Sequence, residues 1–418
     1  MGKFLRLETC ACTQLGGEKK RERLLVKSIQ DLFNDSIHLV EKDKFDEAIH
    51  NLDIIVKLRP LVVSALIQRG RAHWEMRRWD EALKDFEAAL KMDQESPDAL
   101  WTMGLINLQM GNFETGWDYY EARWLSDAFK SPQLKTKLPR YEPGKGFENP
   151  LVWCEQGIGD QILYGALLDA LSKQVKKLTV MLDIRLINLF KRALPHIEFI
   201  RHDARPNNTQ FDSQIPIGSI GKFFVQSFDD ITKNRSLRYL KADENYADKI
   251  RQQLKILPTD FVVGLSWAST APRISEHKSI PLKKLLPLFE IPDIRFVNLQ
   301  YGKPQEQIAD FEKETGKIIH QTKVNTFFDL EGIAAIMHCC DAVVACSNAN
   351  VHIAGALGKP VLMFDANKLW YWNAKNGNQS LWYPSLKMFN RKNMIAPWDE
   401  QVIQINQSLG EIRNDKSR

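Results

Sequence analysis

Between residues 29 and 130, small and bulky apolar positions recur every 34 residues. Gly70 and Gly104 are one step apart. Ala48 and Ala82 are followed at the same step by Gly116, and Leu52, Phe86 and Tyr120 run in parallel, as do Ala89 and Arg123. A small residue at a fixed step lets two helices cross closely, and a bulky one a turn later fills the groove. The period therefore predicts stacked pairs of antiparallel helices, each pair burying its face only against the next. The second helix of each pair should begin at Phe45-Asp46-Glu47-Ala48, Trp79-Asp80-Glu81-Ala82 and Phe113-Glu114-Thr115-Gly116. Three units follow, at about 29–62, 63–96 and 97–130.

Beyond residue 150 the pattern changes to short apolar runs alternating with helical periods. Leu151–Glu155, Leu178–Leu182 and Ile197–Ile200 read as strands, with helices over Gln161–Leu171 and up to Leu194. A second series opens at Phe261–Trp267 and continues with Ile294–Leu299, Lys317–His320, Ala342–Cys346 and Val361–Phe364. Helices are expected near 282–290, 305–314, 328–338 and 350–357. This rhythm implies parallel sheets covered on both faces. Two consecutive doubly wound domains are the economical reading, with ligands expected beyond the carboxyl ends of their strands. The stretch Leu138–Gly146, dense in Pro and Gly, reads as an irregular connection. The expected organisation is a basic N-terminal segment (1–28), helical repeats (29–130), a linker (131–150), a first Rossmann-like domain (151–258) and a second one with a C-terminal helix (259–418). The fold class is an α-solenoid followed by α/β. The repeat period is that of tetratricopeptide arrays, which bind many different partners.

Composition narrows the function classes. The 418 residues are 44% hydrophobic and 26% charged, close to a globular average. No apolar run is long enough to cross a membrane as a helix. Six cysteines with no CxxC pair argue against a disulfide scaffold or a zinc ribbon. The net charge is +5, but residues 1–28 hold seven basic and three acidic groups, a net +4, which leaves +1 for the rest. A nucleic-acid-binding protein would spread its excess over a folded face, so no nucleic-acid partner is expected. The basic segment reads as a solvated terminus, or as a membrane-surface or partner contact. Lys3 and Arg6 interrupt the apolar start, so no signal peptide is expected, and the location expected is cytoplasmic.

Four segments could carry chemistry. In Trp153-Cys154-Glu155-Gln156-Gly157-Ile158-Gly159-Asp160-Gln161 a strand feeds a GxGD turn that opens a helix. Gln156, Gly157 and Gly159 let backbone approach a ligand. Asp160 is read either as a helix cap or as a general base. In Asp341–Pro360 a buried strand ends at Ser347-Asn348, and a helix of small residues carrying Asn350 and His352 follows. Its N-terminus offers N–H groups and partial positive charge to a diphosphate. In Ser266-Trp267-Ala268-Ser269-Thr270, with Arg273 and Lys278, hydroxyls and two cations follow a strand and suit phosphate oxygens. Trp370, Tyr371, Trp372, Trp382 and Tyr383 form an aromatic cluster, open to interdomain packing or to stacking on a sugar or base.

The order of these segments carries a resemblance. The repeats lead into Gly116-Trp117 and Tyr120-Glu121-Ala122-Arg123-Trp124. Then come Glu155–Asp160, Gly264–Ala268, Ser279–Leu282, Asn298-Leu299-Gln300-Tyr301-Gly302, His352–Pro360 and Trp382–Ser385. The chain resembles bacterial tetratricopeptide-repeat proteins whose C-terminal half is similar to the heptosyltransferases of glycosyltransferase family 9, and more remotely to O-linked N-acetylglucosamine transferase. The resemblance implies a GT-B architecture, with the donor nucleotide in the second domain and the acceptor toward the first. It implies Asp160 as the base. It also implies Ser269, Thr270 and Lys278 on the donor phosphates, and Asn348 and His352 in a polar turn-and-helix segment. Trp267, Gln300, Tyr301, Ser347 and Asn350 complete the donor-site expectation. Ser347 and Ala349 depart from the family's usual Asp and Gly.

The expected function is transfer of a sugar from a nucleotide-diphosphate donor to an acceptor hydroxyl, with the repeats docking an acceptor glycan, an acceptor protein or another partner. No cofactor is expected besides the donor itself. No Asp-x-Asp pair occurs in the chain, so leaving-group stabilisation should come from protein cations and dipoles. A catalytically silent binding scaffold and a nucleotide-sugar epimerase are the alternatives.

Overall fold

The computed structural model describes residues 17–59, 62–92, 96–204, 208–270, 275–366, 369–374, 377–393 and 395–416. The basic segment up to residue 16, and Arg273, lie outside them. The chain divides into two compact units, Met1–Leu100 and Trp101–Arg418.

The first unit holds α1 (Gly17–Glu41), α2 (Phe45–Leu58), α3 (Val63–Glu75), α4 (Trp79–Met92) and the opening turn of α5 (Pro97–Met110). The second helices start at Phe45 and Trp79, where the Asp-Glu pair after each start complements the positive end of the helix dipole. Ala48, Ala82 and Ala89 are fully buried at the crossings. A Cβ on Gly70 would stand 3.1 Å from the Phe86 ring, so the small residue is required there. Arg69 grips Asp85 with two bonds of 2.9 and 2.6 Å and Asp53 with a third of 2.7 Å.

The rest of α5 and α6 (Phe113–Tyr120) belong to the second unit. The same crossing recurs one period on, where a Cβ on Gly104 would meet the Tyr120 backbone nitrogen at 2.6 Å. Trp117 donates to the Val225 carbonyl at 2.7 Å, and Trp117 and Tyr120 share a core with the first sheet. The expected array of 29–130 is thus divided. Its last helix pair serves as a wall of the α/β unit, because its aromatic face is buried there.

The first sheet is fully parallel, in the order β3-β2-β1-β4. Its strands are β1 (Pro150–Trp153), β2 (Thr179–Leu182), β3 (Glu198–Arg201) and β4 (Ser213–Pro216). Helices α7 (Ile158–Gly165), α8 (Leu168–Ser172) and α9 (Ile184–Ala193) lie between the early strands, and α10 (Gly221–Phe224), α11 (Phe228–Asn234) and α12 (Glu244–Leu254) follow β4. The second sheet, also parallel, has the order β6-β5-β7-β8-β9. Its strands are β5 (Phe261–Ser266), β6 (Ile294–Asn298), β7 (Ala342–Cys346), β8 (Val361–Asp365) and β9 (Leu386–Asn390). The accompanying helices are α13 (Ser275–Lys278), α14 (Gln305–Thr315), α15 (Leu330–Cys339), α16 (Ala349–Ala356) and α17 (Asp399–Lys416). Strands β5, β7 and β8 are buried along their whole length, as parallel strands covered on both faces must be.

Two local expectations are corrected, and two strands were not expected. Lys317–His320 is no strand but a single bridge between Val297 and His320, with Ile318 left exposed. Residues 282–290 form a 3-10 segment with Pro287 inside, since proline lacks the donor an α-helix needs. Strands β4 and β9 carry Ser, Gln, Pro, Lys and Asn among few apolar residues, so no apolar run announces them.

Candidate functional site

Two strand-to-helix turns, one from each sheet, meet at the carboxyl ends of β1 and β7. After β1 the chain turns through Gln156, which holds a left-handed φ of +66°, and enters α7 with Gly157 as the cap. Asp160 reaches back, and its Oδ2 accepts from the Gly157 N–H at 3.1 Å. The carboxylate is only partly buried and keeps its other oxygen available. Burial pushes its pKa up, while the Gly157 bond and the positive charge of Lys278 oppose that shift. Both readings of Asp160 are therefore compatible, because capping uses one oxygen of two.

After β7, Asn348 caps α16 by accepting from the Asn350 N–H at 3.0 Å. Gly159 and His352 bring the two turns together. A Cβ on Gly159 would stand 3.0 Å from the imidazole, so a larger residue would press the ring out of place. His352 is buried, stacked on Trp372 with ring centres 4.8 Å apart, and its Nδ1 lies 3.0 Å from the Tyr383 hydroxyl. Burial and the nearby Lys278 hold its pKa down to about 3, so the ring is neutral.

Lys278 is the charge at the centre. It ends α13, is buried, and its ammonium makes no hydrogen bond or ion pair among the described residues. Burial lowers its pKa. The acidic groups that oppose this are Asp365, Cys346 and Asp160, which come from the ends of β8 and β7 and from α7. Asp365, fully buried at the end of β8, was not singled out from the sequence. Its signal was an acidic residue directly closing the apolar run Val361–Phe364.

Other residues expected at the site are committed to the scaffold. Gln300 accepts from the Trp267 and Ala268 N–H groups at 2.9 and 2.8 Å and donates to the Ala268 and Tyr301 carbonyls. Trp267 is buried in the core beneath the sheet and donates to Gln307 at 2.8 Å. Asn348 donates to Ser266 and Ala268, and Asn350 donates to Leu299 and Ser266. Ser347 accepts from Trp372 at 3.1 Å. These bonds tie the ends of β5, β6 and β7 into one platform. Gln156 turns away from the centre and donates to the Tyr120 hydroxyl at 2.9 Å. Thr270 is exposed, Ser269 is buried with its N–H donating to the Ser279 hydroxyl at 3.0 Å, and Tyr301 is half-buried. Trp370, Trp372, Trp382 and Tyr383 of the aromatic cluster are buried and Tyr371 is half-buried, the rings packed mostly edge to face around His352, Trp117 and Tyr164.

Beside this centre, a cavity of about 190 Å³ opens at the ends of β1 and β2, lined by Pro132, Leu134, Lys135, Trp153, Met181 and His202 among others. No helix of the described residues is long and apolar enough to cross a membrane.

Residues 67–126 match the family model of a tetratricopeptide repeat. Protein FlbA of Caulobacter vibrioides is 27% identical over 362 residues, which cover 81% of this chain, and the chain spans 60% of that protein's length. The glycosyl transferase family 9 structure from Veillonella parvula superposes with a TM-score of 0.49 at 14% identity, covering 65% of this chain and 99% of its own. The ADP-heptose lps heptosyltransferase II of E. coli does so with a TM-score of 0.47 at 12% identity, covering 65% and 100%. The chain is a homologue of FlbA that carries tetratricopeptide repeats ahead of an α/β part built on two parallel sheets.

Proposed function

We propose that the α/β unit is a glycosyltransferase that moves a sugar from a nucleotide-diphosphate donor to an acceptor hydroxyl, without a metal clamp. The observation that carries this reading is Lys278, a largely buried lysine whose ammonium has no hydrogen-bonded partner among the described residues, at the point where both turns meet. A buried cation is costly unless an anion joins it. A diphosphate is an anion of the right kind, and the N-terminus of α16 adds N–H groups and partial positive charge on the same side.

Asp160 then serves as the base. Its raised pKa makes it a better proton acceptor than an ordinary carboxylate. It takes the proton of the acceptor hydroxyl as that oxygen bonds to the anomeric carbon. The bond from that carbon to the diphosphate oxygen breaks, and the negative charge gathering there falls beside Lys278. His352 stays neutral, so it acts as a hydrogen-bonding and packing group and adds no charge. The repeats dock the acceptor or a partner protein.

A thermal-shift series with nucleoside diphosphates tests the donor. Stabilisation by one base that is absent in Lys278→Met supports the assignment. No stabilisation by any of them, with the wild type folded, favours the silent scaffold.

A further inference from the structure

A second buried cation lies behind the GxGD turn and takes no part in the steps above. Arg123 follows α6 in the short 3-10 segment Glu121–Leu125 and is completely buried. Its Nη2 donates to Glu155 at 3.2 Å and to the Ser219 hydroxyl at 2.8 Å. Its Nη1 donates to Glu121 at 2.7 Å. The guanidinium lies over the Tyr120 and Trp124 rings, 4.3 and 4.6 Å from their centres.

Two neighbours of this cation, Glu155 and Tyr120, bear on the turn. Glu155 immediately precedes Gln156, and its Oε1 also accepts from the Gly218 N–H at 3.0 Å. A Cβ on Gly218 would meet that oxygen at 2.5 Å, so the carboxylate is closely confined. Gln156 holds its left-handed backbone through two bonds, one from its N–H to the Ser131 hydroxyl at 2.9 Å and one from its side chain to the Tyr120 hydroxyl. Tyr120 in turn lies 3.3 Å from the Tyr164 hydroxyl on α7. Side chains seldom adopt a left-handed φ unless the surroundings impose it. Here the surroundings are Tyr120 at the end of the repeats and Ser131 at the start of the connection that follows.

We infer that Arg123 is a positioning residue: through Glu155, Tyr120 and the left-handed Gln156 it braces the GxGD turn, so that the end of the repeat array sets where Asp160 stands. The inference rests on the reading of Asp160 as the base, but the brace itself can be tested apart from that reading. Ion pairing places the Arg123 charge on Glu155 and Glu121 rather than on any ligand. Its burial separates it from solvent, and the cation–ring contacts fix its plane. A partner that shifted residues 120–131 would move Asp160 with them.

The test uses the full chain. Arg123→Met is the obvious variant, but it strands Glu155 as an unpaired buried charge. Tyr120→Phe is the milder one, since it removes a single hydroxyl and keeps the ring. Amide hydrogen exchange of residues 156–161 reads the brace directly. The expected result for Tyr120→Phe is exchange accelerated at least about tenfold at those amides and unchanged in the second sheet. With it, kcat should fall about 10- to 100-fold while the donor KM and the melting temperature stay near wild type, as a misplaced reacting group demands. Wild-type exchange at 156–161 in Tyr120→Phe overturns the brace, whatever the activity. A parallel loss of melting temperature and donor affinity, with kcat unchanged, also overturns it. Accelerated exchange in a protein where Asp160→Asn leaves turnover untouched upholds the brace and instead removes Asp160 from the chemistry.

Discussion

The turns after β1 and β7 share one local design, a buried parallel strand that ends in a polar bend and opens a short helix, yet their side chains go to opposite uses. After β7, the amides of Asn348 and Asn350 and the hydroxyl of Ser347 are all bonded to the ends of neighbouring strands or to Trp372. That turn contributes backbone N–H groups and a rigid floor. After β1, Asp160 is held by one backbone bond and faces Lys278. That turn contributes a charge. The difference does not follow from position in the sheets, since β7 lies between β5 and β8 and β1 lies between β2 and β4. It follows from the side chains: the amides of Asn348 and Asn350 donate to groups at the neighbouring strand ends, whereas Asp160 accepts from Gly157 in its own turn, and that turn meets the other half of the unit through Gly159 and His352.

Asp160→Asn keeps the backbone bond and removes the base, so turnover should fall by a factor of about 10² to 10⁴ with no loss of melting temperature. Steady-state transfer assays on that variant check it, and retained turnover would break the contrast at its centre.

Lys278→Met should weaken nucleoside diphosphate binding about 10- to 100-fold by calorimetry, the loss of one charge-assisted contact. The same variant sharpens the electrostatics. Lys278 lowers the Asp160 pKa, so its removal should shift the acidic limb of the pH–rate profile to higher pH. The folded pKa of Asp160 is raised, so the folded state holds the proton longer. Its contribution to stability is therefore present below the ordinary carboxyl range and lost as pH rises through the raised value. Asp160→Asn should accordingly be more stable than wild type above that window, measured as a melting-temperature gain that disappears at lower pH.

Asn348→Ala removes a cap and strands buried partners at Ser266 and Ala268. The expected effect is about 1–3 kcal/mol of lost stability, read from denaturant midpoints, with chemistry affected only through the fold. Equal loss of stability in Asp160→Asn would erase the distinction between the two turns. The smallest effect belongs to His352. With its pKa near 3, its ring should show no titration between pH 5 and 8 by NMR, and Tyr383→Phe should cost about 1 kcal/mol.

Much of this was legible in the chain. Glycine and alanine at 34-residue steps announced the helix crossings, because close approach forbids a larger side chain, and Gly70 and Gly104 meet Phe86 and Tyr120 as that argument requires. The apolar runs of β5, β7 and β8 announced parallel strands. The GxGD turn announced Asp160 at a helix start. β4 and β9 were silent, since an edge strand or a sparsely apolar one carries no periodic signal that exceeds its polar residues. Trp267, Gln300, Asn348 and Asn350 illustrate a different limit. Their residue types and positions after strands fit a ligand or a scaffold equally well, and only three-dimensional hydrogen bonding assigns them to the scaffold.

By itself the sequence determined the repeat period, the alternation of strand and helix, and the local caps, because each depends on residues close along the chain. Tertiary structure alone decided that the last helix pair of the array walls the α/β unit, that Asp365 comes near enough to Lys278 to favour its charge, and that Arg123 lies behind Gln156. Those outcomes depend on burial shared between segments 30 to 200 residues apart, and a charge acquires its partner or lacks one only when such segments close around it.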